Sequence, residues 1–308
     1  MNILITSIGR RVQLVQHLKK TFTVIGADAT GNNAARHFVD NFFLIPKCNE
    51  KGYINELLKI CMDNSIELII PLYEGEFEIL CDNRQTFEKN GIKLLLSDKE
   101  IIQICNDKNK TQKFFEDEGI ICPAVTEHAP AVIKPVYGMG SQGIYVVDTE
   151  EELQAARILS HNNYIMQEKI DGTEYTIDVL CDFNGNVVAA VPRVRTEVRA
   201  GEVAKSATVF NQYIIDYTVK MIKALNRYGK AVGPLTVQCF LKENGEIVFL
   251  EINPRFGGGV PLTFEAGVDY GAYIKLFMDG YSHAGELCDF KELSMLRYDM
   301  AVYKNVGD

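Results

Sequence analysis

The chain has 308 residues, 47% of them hydrophobic and 24% charged, with 16 Phe and 14 Tyr. That composition excludes wholesale disorder and supplies apolar surface for one large core or about two to three smaller ones. Its 32 basic against 41 acidic residues leave a net charge of −9, and no dense Lys/Arg run appears, so a protein that grips nucleic acid through its phosphates is not expected.

No stretch approaches the roughly 18 uninterrupted apolar residues of a membrane span. Met1-Asn2-Ile3-Leu4-Ile5 lacks the basic leader and long apolar core of a signal peptide and reads as a first strand. The eight cysteines are dispersed, without a CxxC pair, which suits reduced thiols. A cytoplasmic protein with no nucleic-acid or membrane partner is the expectation.

Residues 1–97 alternate between strand and helix signals. Asn2–Thr6 is an apolar run, Arg10–Lys20 has helical spacing, and Thr23–Asp28 is a second strand. Tyr53–Asp63 reads as a helix, Glu67–Pro71 as a buried strand, Glu76–Lys89 as a helix and Gly91–Leu96 as a fourth strand. Alternation of this kind predicts a parallel sheet covered by helices. Ser97, followed by Asp98, Lys99 and Glu100, opens a new helix with an acidic first turn, and a domain boundary is placed there.

Beyond residue 120 the texture becomes α+β. Ala131–Val136, Gly143–Val147, Glu174–Cys181, Val187–Val194, Leu235–Leu241 and Ile247–Ile252 read as strands of an antiparallel sheet. Glu150–Leu159, Gln212–Tyr228 and Tyr270–Met278 read as helices flanking it.

Gly138-Met139-Gly140-Ser141-Gln142-Gly143 is a literal GxGxxG. A dinucleotide fold needs that motif to lead from strand into helix. Here another β run follows, so the segment is a hairpin whose tip can fold over phosphates, with Lys134 on the entering strand. A glycine-rich hairpin without a ligand has the same local sequence.

Asn244-Gly245 between β runs predicts a second hairpin. With a two-residue turn Glu243 pairs with Glu246, Gln238 faces Glu251 and Thr236 faces Asn253. Side chains alternate along a strand, so Gln238, Glu251 and Asn253 share one face, while Val237, Cys239 and Leu241 meet Val248, Leu250 and Ile252 on the other. A carboxylate beside amide oxygens is a hard site of the kind Mg2+ uses when phosphates complete its shell. Arg255 extends the row and leads into Gly257-Gly258-Gly259, where a backbone can approach closely.

A third hairpin turns at Asn184-Gly185. There Glu174 faces Arg195 and Thr176 faces Arg193, while Tyr175, Ile177, Val179 and Cys181 join Val188 and Val194 on the far side, subject to a bulge at Pro192. Arg195, Arg199 and Lys205, around Gly201, then form a basic stretch that reads as an anion-binding loop or a solvated one. Ser7-Ile8-Gly9-Arg10 after the first strand and Asp28 after the second imitate an NAD(P) fold, but with a single glycine where three are expected. Gly9, Arg10 and Asp28 are candidates for either substrate contact or a structural role.

Four motifs in this order resemble the ATP-grasp superfamily, most closely its carbamoyl-phosphate-synthetase-like branch. They are Asp107-Lys108, Val132-Ile133-Lys134-Pro135 with the glycine loop, Gln167 through Tyr175, and Glu251-Ile252-Asn253-Pro254-Arg255. The resemblance implies a Rossmann-like α/β pre-ATP-grasp domain over residues 1–97. A two-part α+β clamp with antiparallel sheets follows, its small subdomain at 98–170 and its large one at 171–308.

It further implies that Lys108 and Lys134 contact ATP phosphates under Gly138, Gly140, Ser141 and Gly143. Gln167, Glu168, Lys169 and Ile170 would line the adenine pocket and Glu174 would hold the ribose. Gln238, Glu251 and Asn253 would bind one or two Mg2+ ions, with Mn2+ able to substitute. Arg255, with Arg199 and Lys205, would serve the transferring phosphate, and Arg193 and Arg195 would face substrate. Many superfamily members carry a carboxylate where this chain has Gln238.

The activity implied is an ATP- and Mg2+-dependent ligase that joins a small-molecule carboxylate to an amine or similar nucleophile through an acyl phosphate, releasing ADP and phosphate. The true synthetase has two such halves and a glutaminase partner; these 308 residues hold one half. A non-catalytic ATP-binding sensor or partner subunit is the competing expectation. Related folds often dimerise, which leaves a homodimer open.

Overall fold

The computed structural model describes residues 1–138, 142–160, 163–199 and 202–305. In chain order the first elements are β1 (Asn2–Thr6), α1 (Val12–Leu18), β2 (Thr23–Asp28), β3 (Asn41–Leu44), α2 (Tyr53–Asp63), β4 (Ile66–Pro71), α3 (Phe77–Asp82), α4 (Arg84–Lys89) and β5 (Lys93–Leu94). All strand pairs are parallel, in the order β3-β2-β1-β4-β5. Side-chain alternation sends Ile3 and Ile5 of β1 toward Leu14, Val15 and Leu18 of α1, and Leu4 toward Leu57, Phe77 and Leu80. Both faces of the sheet are therefore covered, as the near-continuous apolar strands require.

Two expectations are corrected here. The helix read over Glu76–Lys89 is a 3-10 turn at Glu74–Glu76 followed by two separate helices. They break at Asn83, whose backbone leaves the helical region while its amide donates to the Ile79 carbonyl at 2.8 Å. The helix read over Arg10–Lys20 is shorter, because Gly9 at φ 45° and an extra turn at its far end confine regular geometry to Val12–Leu18.

After β5 come α5 (Lys99–Asn106) and α6 (Lys108–Asp117), then β6 (Ala131–Pro135), β7 (Tyr145–Val147), α7 (Glu150–Leu159) and β8 (Tyr164–Glu168). The connection at 95–98 is tied to the last part of the chain. Ser97 Oγ accepts from Val232 N–H at 2.9 Å, and Asp98 accepts from Lys230 N–H at 2.8 Å rather than capping α5 with its side chain. The remaining elements are β9 (Thr173–Cys181), β10 (Val187–Arg199), β11 (Glu202–Thr208), α8 (Gln212–Leu225), β12 (Gly233–Leu241), β13 (Ile247–Asn253), α9 (Val260–Glu265), α10 (Tyr270–Met278) and β14 (Ser294–Leu296).

The strands read from their spacing as one antiparallel sheet form two, as the resemblance implies. A three-stranded one, β7-β6-β8, carries the glycine hairpin between β6 and β7 and packs on α7 through Ile133, Val147, Leu153 and Met166. A six-stranded one runs β13-β12-β9-β10-β11-β14. The basic stretch read as a loop is corrected too: Arg195 and Arg199 lie on β10 and Lys205 on β11, within one antiparallel ladder.

Two bulges reset faces near the hairpin tips. Gln238 pairs with Glu251 and Thr236 with Asn253 as the spacing predicts, but Cys239 pairs with Phe249. The Asn244-Gly245 turn is one residue wider than expected, with Gly245 at φ 86° and Lys242 N–H bonded to Glu246 O, and the extra residue is absorbed near Leu250. Ile247 and Phe249 thus fill the core where Val248 and Leu250 were expected. Likewise Val187, not Val188, shares the core of Tyr175, Ile177, Val179 and Cys181; Val188 joins the opposite cluster. Pro192 causes no bulge: it pairs with Ile177, and its carbonyl takes the last bond from β11, at Val209 N–H, so its missing donor falls at a ladder end.

One face of β9 changes character along its length. Glu174, Thr176 and Asp178 are polar, whereas Leu180 packs with Val188, Ala189 and Val191 against Ile3, Ile5 and Leu68 of the first sheet. The N-terminal unit is seated on the apolar end; along the polar stretch Asp178 and Thr176 are buried and Glu174 is partly exposed.

Candidate active site

The polar face of the six-stranded sheet gathers Glu174, Arg195, Gln238, Glu251 and Asn253, with Arg255 just beyond its edge. Gln238 and Glu251 stand opposite each other, and Asn253 donates to Glu251 Oε1 at 2.9 Å. Arg255 follows: its Nε donates to Glu74 Oε1 at 2.8 Å, while Nη2 and Nη1 make only long contacts, 3.4 Å to Asn253 Oδ1 and 3.3 Å to Phe256 O. Thr236 Oγ1 donates to Arg255 O at 2.9 Å and Arg297 to Gly258 O at 2.6 Å, so the glycine turn behind Arg255 is fixed from both sides. At Gly257 an added Cβ would lie 2.9 Å from Thr236 Oγ1, which explains a glycine there.

Across the cleft, Lys134 on β6 is 8% exposed. Burial lowers its ammonium pKa, the charge of Glu251 partly restores it, and Lys108 lowers it again. The small sheet's lysine and the large sheet's carboxylate therefore act on each other electrostatically. Glu174 lies in the same field. Burial raises its pKa, Arg195 opposes the shift through a 2.9 Å ion pair, and Glu251 adds to it. Glu174 and Arg195 are the cross-strand partners that the hairpin spacing predicts.

Lys108 Nζ donates to Gly138 O at 3.2 Å, which brings the other expected phosphate lysine to the mouth of the glycine loop. Asp107 caps α6 through the N–H groups of Asn109 and Lys110 and accepts from Tyr137 Oη at 2.8 Å, anchoring that mouth. Gly140 and Ser141, like Gly201, lie outside the described residues; Gly143 is described, at φ 70°.

The expected adenine wall is a braced strand. Gln167 donates to Gln112 Oε1 at 2.6 Å, Glu168 accepts from Ala124 N–H at 2.9 Å, and Lys169 pairs with Asp148 at 2.7 Å. Ile170, half-buried, follows β8.

Other candidates stand apart. Arg193 is interior and forked onto Asp178. Arg199 is exposed and paired with Asp299 at 3.1 Å; Lys205 is exposed and paired with Glu197 at 2.6 Å. Asp28 uses both carboxylate oxygens on the backbone, accepting from Gly9 N–H and Thr30 N–H at 3.0 Å each, which is a loop-shaping role; Arg10 is exposed beside them. No group of three His, Cys, Asp or Glu side chains among the described residues could hold a metal, and no described helix is long and apolar enough to cross a membrane.

Glu74 was missed from sequence. It sits just after β4, and the strand order reverses between β1 and β4, so it occupies the crevice where open α/β sheets present their functional groups. That positional rule is the signal that would have found it.

A family described as "PylC-like, N-terminal domain" matches residues 3–95, and one described as "ATP-grasp domain" matches residues 105–259, half of the chain. The chain belongs to the ATP-grasp family. The carbamoyl phosphate synthase large chain of Thermoanaerobacter sp. (strain X514) is 30% identical over 210 residues, covering 58% of this chain and 19% of that one. That of Clostridium acetobutylicum is 22% identical over 239 residues, covering 69% and 22%. The chain thus spans about a fifth of the length of these relatives.

Among solved structures, N5-carboxyaminoimidazole synthetase from Staphylococcus aureus complexed with ADP superposes with a TM-score of 0.75 at 16% identity, covering 96% of this chain and 82% of that one. Biotin carboxylase from Campylobacter jejuni gives 0.72 at 18%, covering 92% and 72%. At such identities the likeness is one of fold.

Proposed function

We propose that the chain is an ATP- and Mg2+-dependent ligase: a substrate carboxylate attacks the γ-phosphate, ADP leaves, and an amine or similar nucleophile displaces phosphate from the acyl phosphate. The observation that carries this reading is the cluster on one sheet face, Gln238 opposite Glu251, Asn253 bonded to Glu251 and Arg255 just beyond, with buried Lys134 on the small sheet. Phosphoryl transfer needs positioning and charge neutralisation rather than a protein nucleophile, and this face offers both.

The donor set fits Mg2+. Glu251, Gln238 and Asn253 supply hard oxygens from one face, few enough that nucleotide phosphates complete the shell. When bound, the metal neutralises charge on the β- and γ-phosphates. Lys134 and Lys108 hold the phosphates, Glu174 meets the ribose, and Arg255 meets the oxygens of the transferred group.

Thermal unfolding with MgATP and with NADP separates this from a dinucleotide protein. A native-state ligand adds about 2.7 kcal/mol at a hundredfold excess over its Kd, and the larger shift should come from MgATP. A screen of carboxylate–amine pairs for ADP release then tests turnover. Binding without turnover across the panel would favour the sensor.

A further inference from the structure

The ion pair between Glu74 and Arg255 crosses from the N-terminal unit to the nucleotide-binding half, and its geometry is one-sided. Glu74 takes Nε at 2.8 Å, while the terminal nitrogens make contacts of 3.3 and 3.4 Å, at the edge of hydrogen-bonding range. The two side chains are 17% and 12% exposed, so this is a sheltered pair rather than a solvated one. Glu74 thus fixes the guanidinium at Nε, while Nη1 and Nη2, held only by long bonds to Phe256 O and Asn253 Oδ1, are the donors that an incoming anion can take over.

We infer that Glu74 is a positioning residue: it holds Arg255 by Nε so that the Nη1–Nη2 fork faces an incoming tetrahedral or planar oxyanion. This rests on the proposed function for the identity of that anion, a phosphoryl group or the substrate carboxylate. The carboxylate comes from outside the segment that supplies Lys134, Glu251 and Arg255, so the N-terminal unit contributes to the anion site itself. Glu74 is in turn held by its short turn: the next acidic residue, Glu76, is buried and accepts from Thr6 Oγ1 at 2.9 Å, from Tyr73 N–H at 3.1 Å and from the Tyr53 hydroxyl.

The test is calorimetric binding of inorganic phosphate, with and without MgADP, to wild type, Glu74→Gln, Glu74→Ala, Arg255→Ala and the Glu74→Ala/Arg255→Ala double variant. Loss of the charge-assisted bond should weaken phosphate about tenfold in Glu74→Ala and less in Glu74→Gln, which keeps an acceptor oxygen. MgADP affinity and melting temperature should change little in Glu74→Gln. In the Arg255→Ala background the Glu74 substitution should cost nothing further, because its effect runs through the guanidinium. Unchanged phosphate affinity in Glu74→Ala, or an equal additional loss in the double variant, would overturn the inference. So would a wild type that binds no phosphate in either condition. A wild type that binds phosphate with the expected Glu74 dependence but no MgADP would instead strike down the nucleotide reading and leave the positioning role standing.

Discussion

Asp178 and Arg193 meet diagonally across β9 and β10, with Nε 2.6 Å from Oδ2 and Nη2 2.9 Å from Oδ1, and each residue is 1% exposed. Thr263 Oγ1 adds a third donor to Asp178 at 2.5 Å, which binds α9 to the sheet. An arginine that the sequence offered as a substrate ligand is part of the frame under the site.

Removing one member of such a pair strands the other without a counter-charge. Arg193→Met should destabilise the fold by about 3–5 kcal/mol, and Arg193→Met with Asp178→Leu should recover much of that loss. Urea unfolding of the three proteins measures both; a single substitution costing under about 1 kcal/mol would contradict the paired geometry.

Glu251 is the only carboxylate of the Gln238–Glu251–Asn253 set. Glu251→Ala should lower ADP release at least about a hundredfold, while weakening nucleotide binding far less, since Lys108, Lys134 and Glu174 remain. Steady-state turnover beside calorimetric ATP affinity gives the split. Equal losses in both would assign Glu251 to ground-state binding alone.

Lys134 should make nucleotide binding pH-dependent on the alkaline side. Burial first, then Lys108, hold its free-state pKa below the ordinary Lys value against the pull of Glu251. Arriving phosphates raise it. Between the free and bound pKa values the complex carries one more proton than the free protein, so affinity falls by up to about tenfold per pH unit as pH rises through that window. Calorimetry in buffers of different ionisation enthalpy should show proton uptake, lost in Lys134→Met.

His17 should make the fold acid-sensitive. Its ring stacks on Phe264 at 3.9 Å and 11°, and neither nitrogen has a hydrogen-bond partner; Nε2 lies 3.3 Å from Asp269 Oδ1 without the alignment of a bond. Burial lowers its pKa against the charge of Asp269. With the folded pKa below the unfolded one, protonation favours the unfolded chain. Stability is whole above about pH 6.5 and declines as pH falls through the folded pKa. His17→Phe keeps the stack and should flatten that decline in denaturation midpoints taken at about pH 8 and 5.

Elements whose own sequence carries a period were readable before any coordinates. β1, β2 and α2 lie at the bounds that their apolar spacing predicts, and Gln238 faces Glu251 because alternation fixes faces once a turn is located. What escaped depended on partners distant in sequence. β11 reads Glu202-Val203-Ala204-Lys205-Ser206-Ala207-Thr208, too polar to announce a strand, and forms because β10 and β14 flank it. β3 is four residues at the edge of its sheet, paired with β2. The bulges at Val188 and Leu250 arise from turns one residue wider than Asn-Gly suggests, so local alternation misassigned the core beside each tip. Glu74 became legible only once the reversal of strand order located the crevice.

The polar-to-apolar change along β9 also bears on how such chains can be recombined. A fragment starting at Asp98 would turn Leu180, Val188, Ala189 and Val191 outward, a contiguous greasy ledge of the sort that drives aggregation. It would forfeit the carboxylate at 74 in the same cut. Exchange of the first 97 residues between relatives is therefore a transplant with two matching conditions, a hydrophobic footprint and an anion-facing side chain. A chimaera that meets the first and not the second should stay in solution and still grip phosphate poorly.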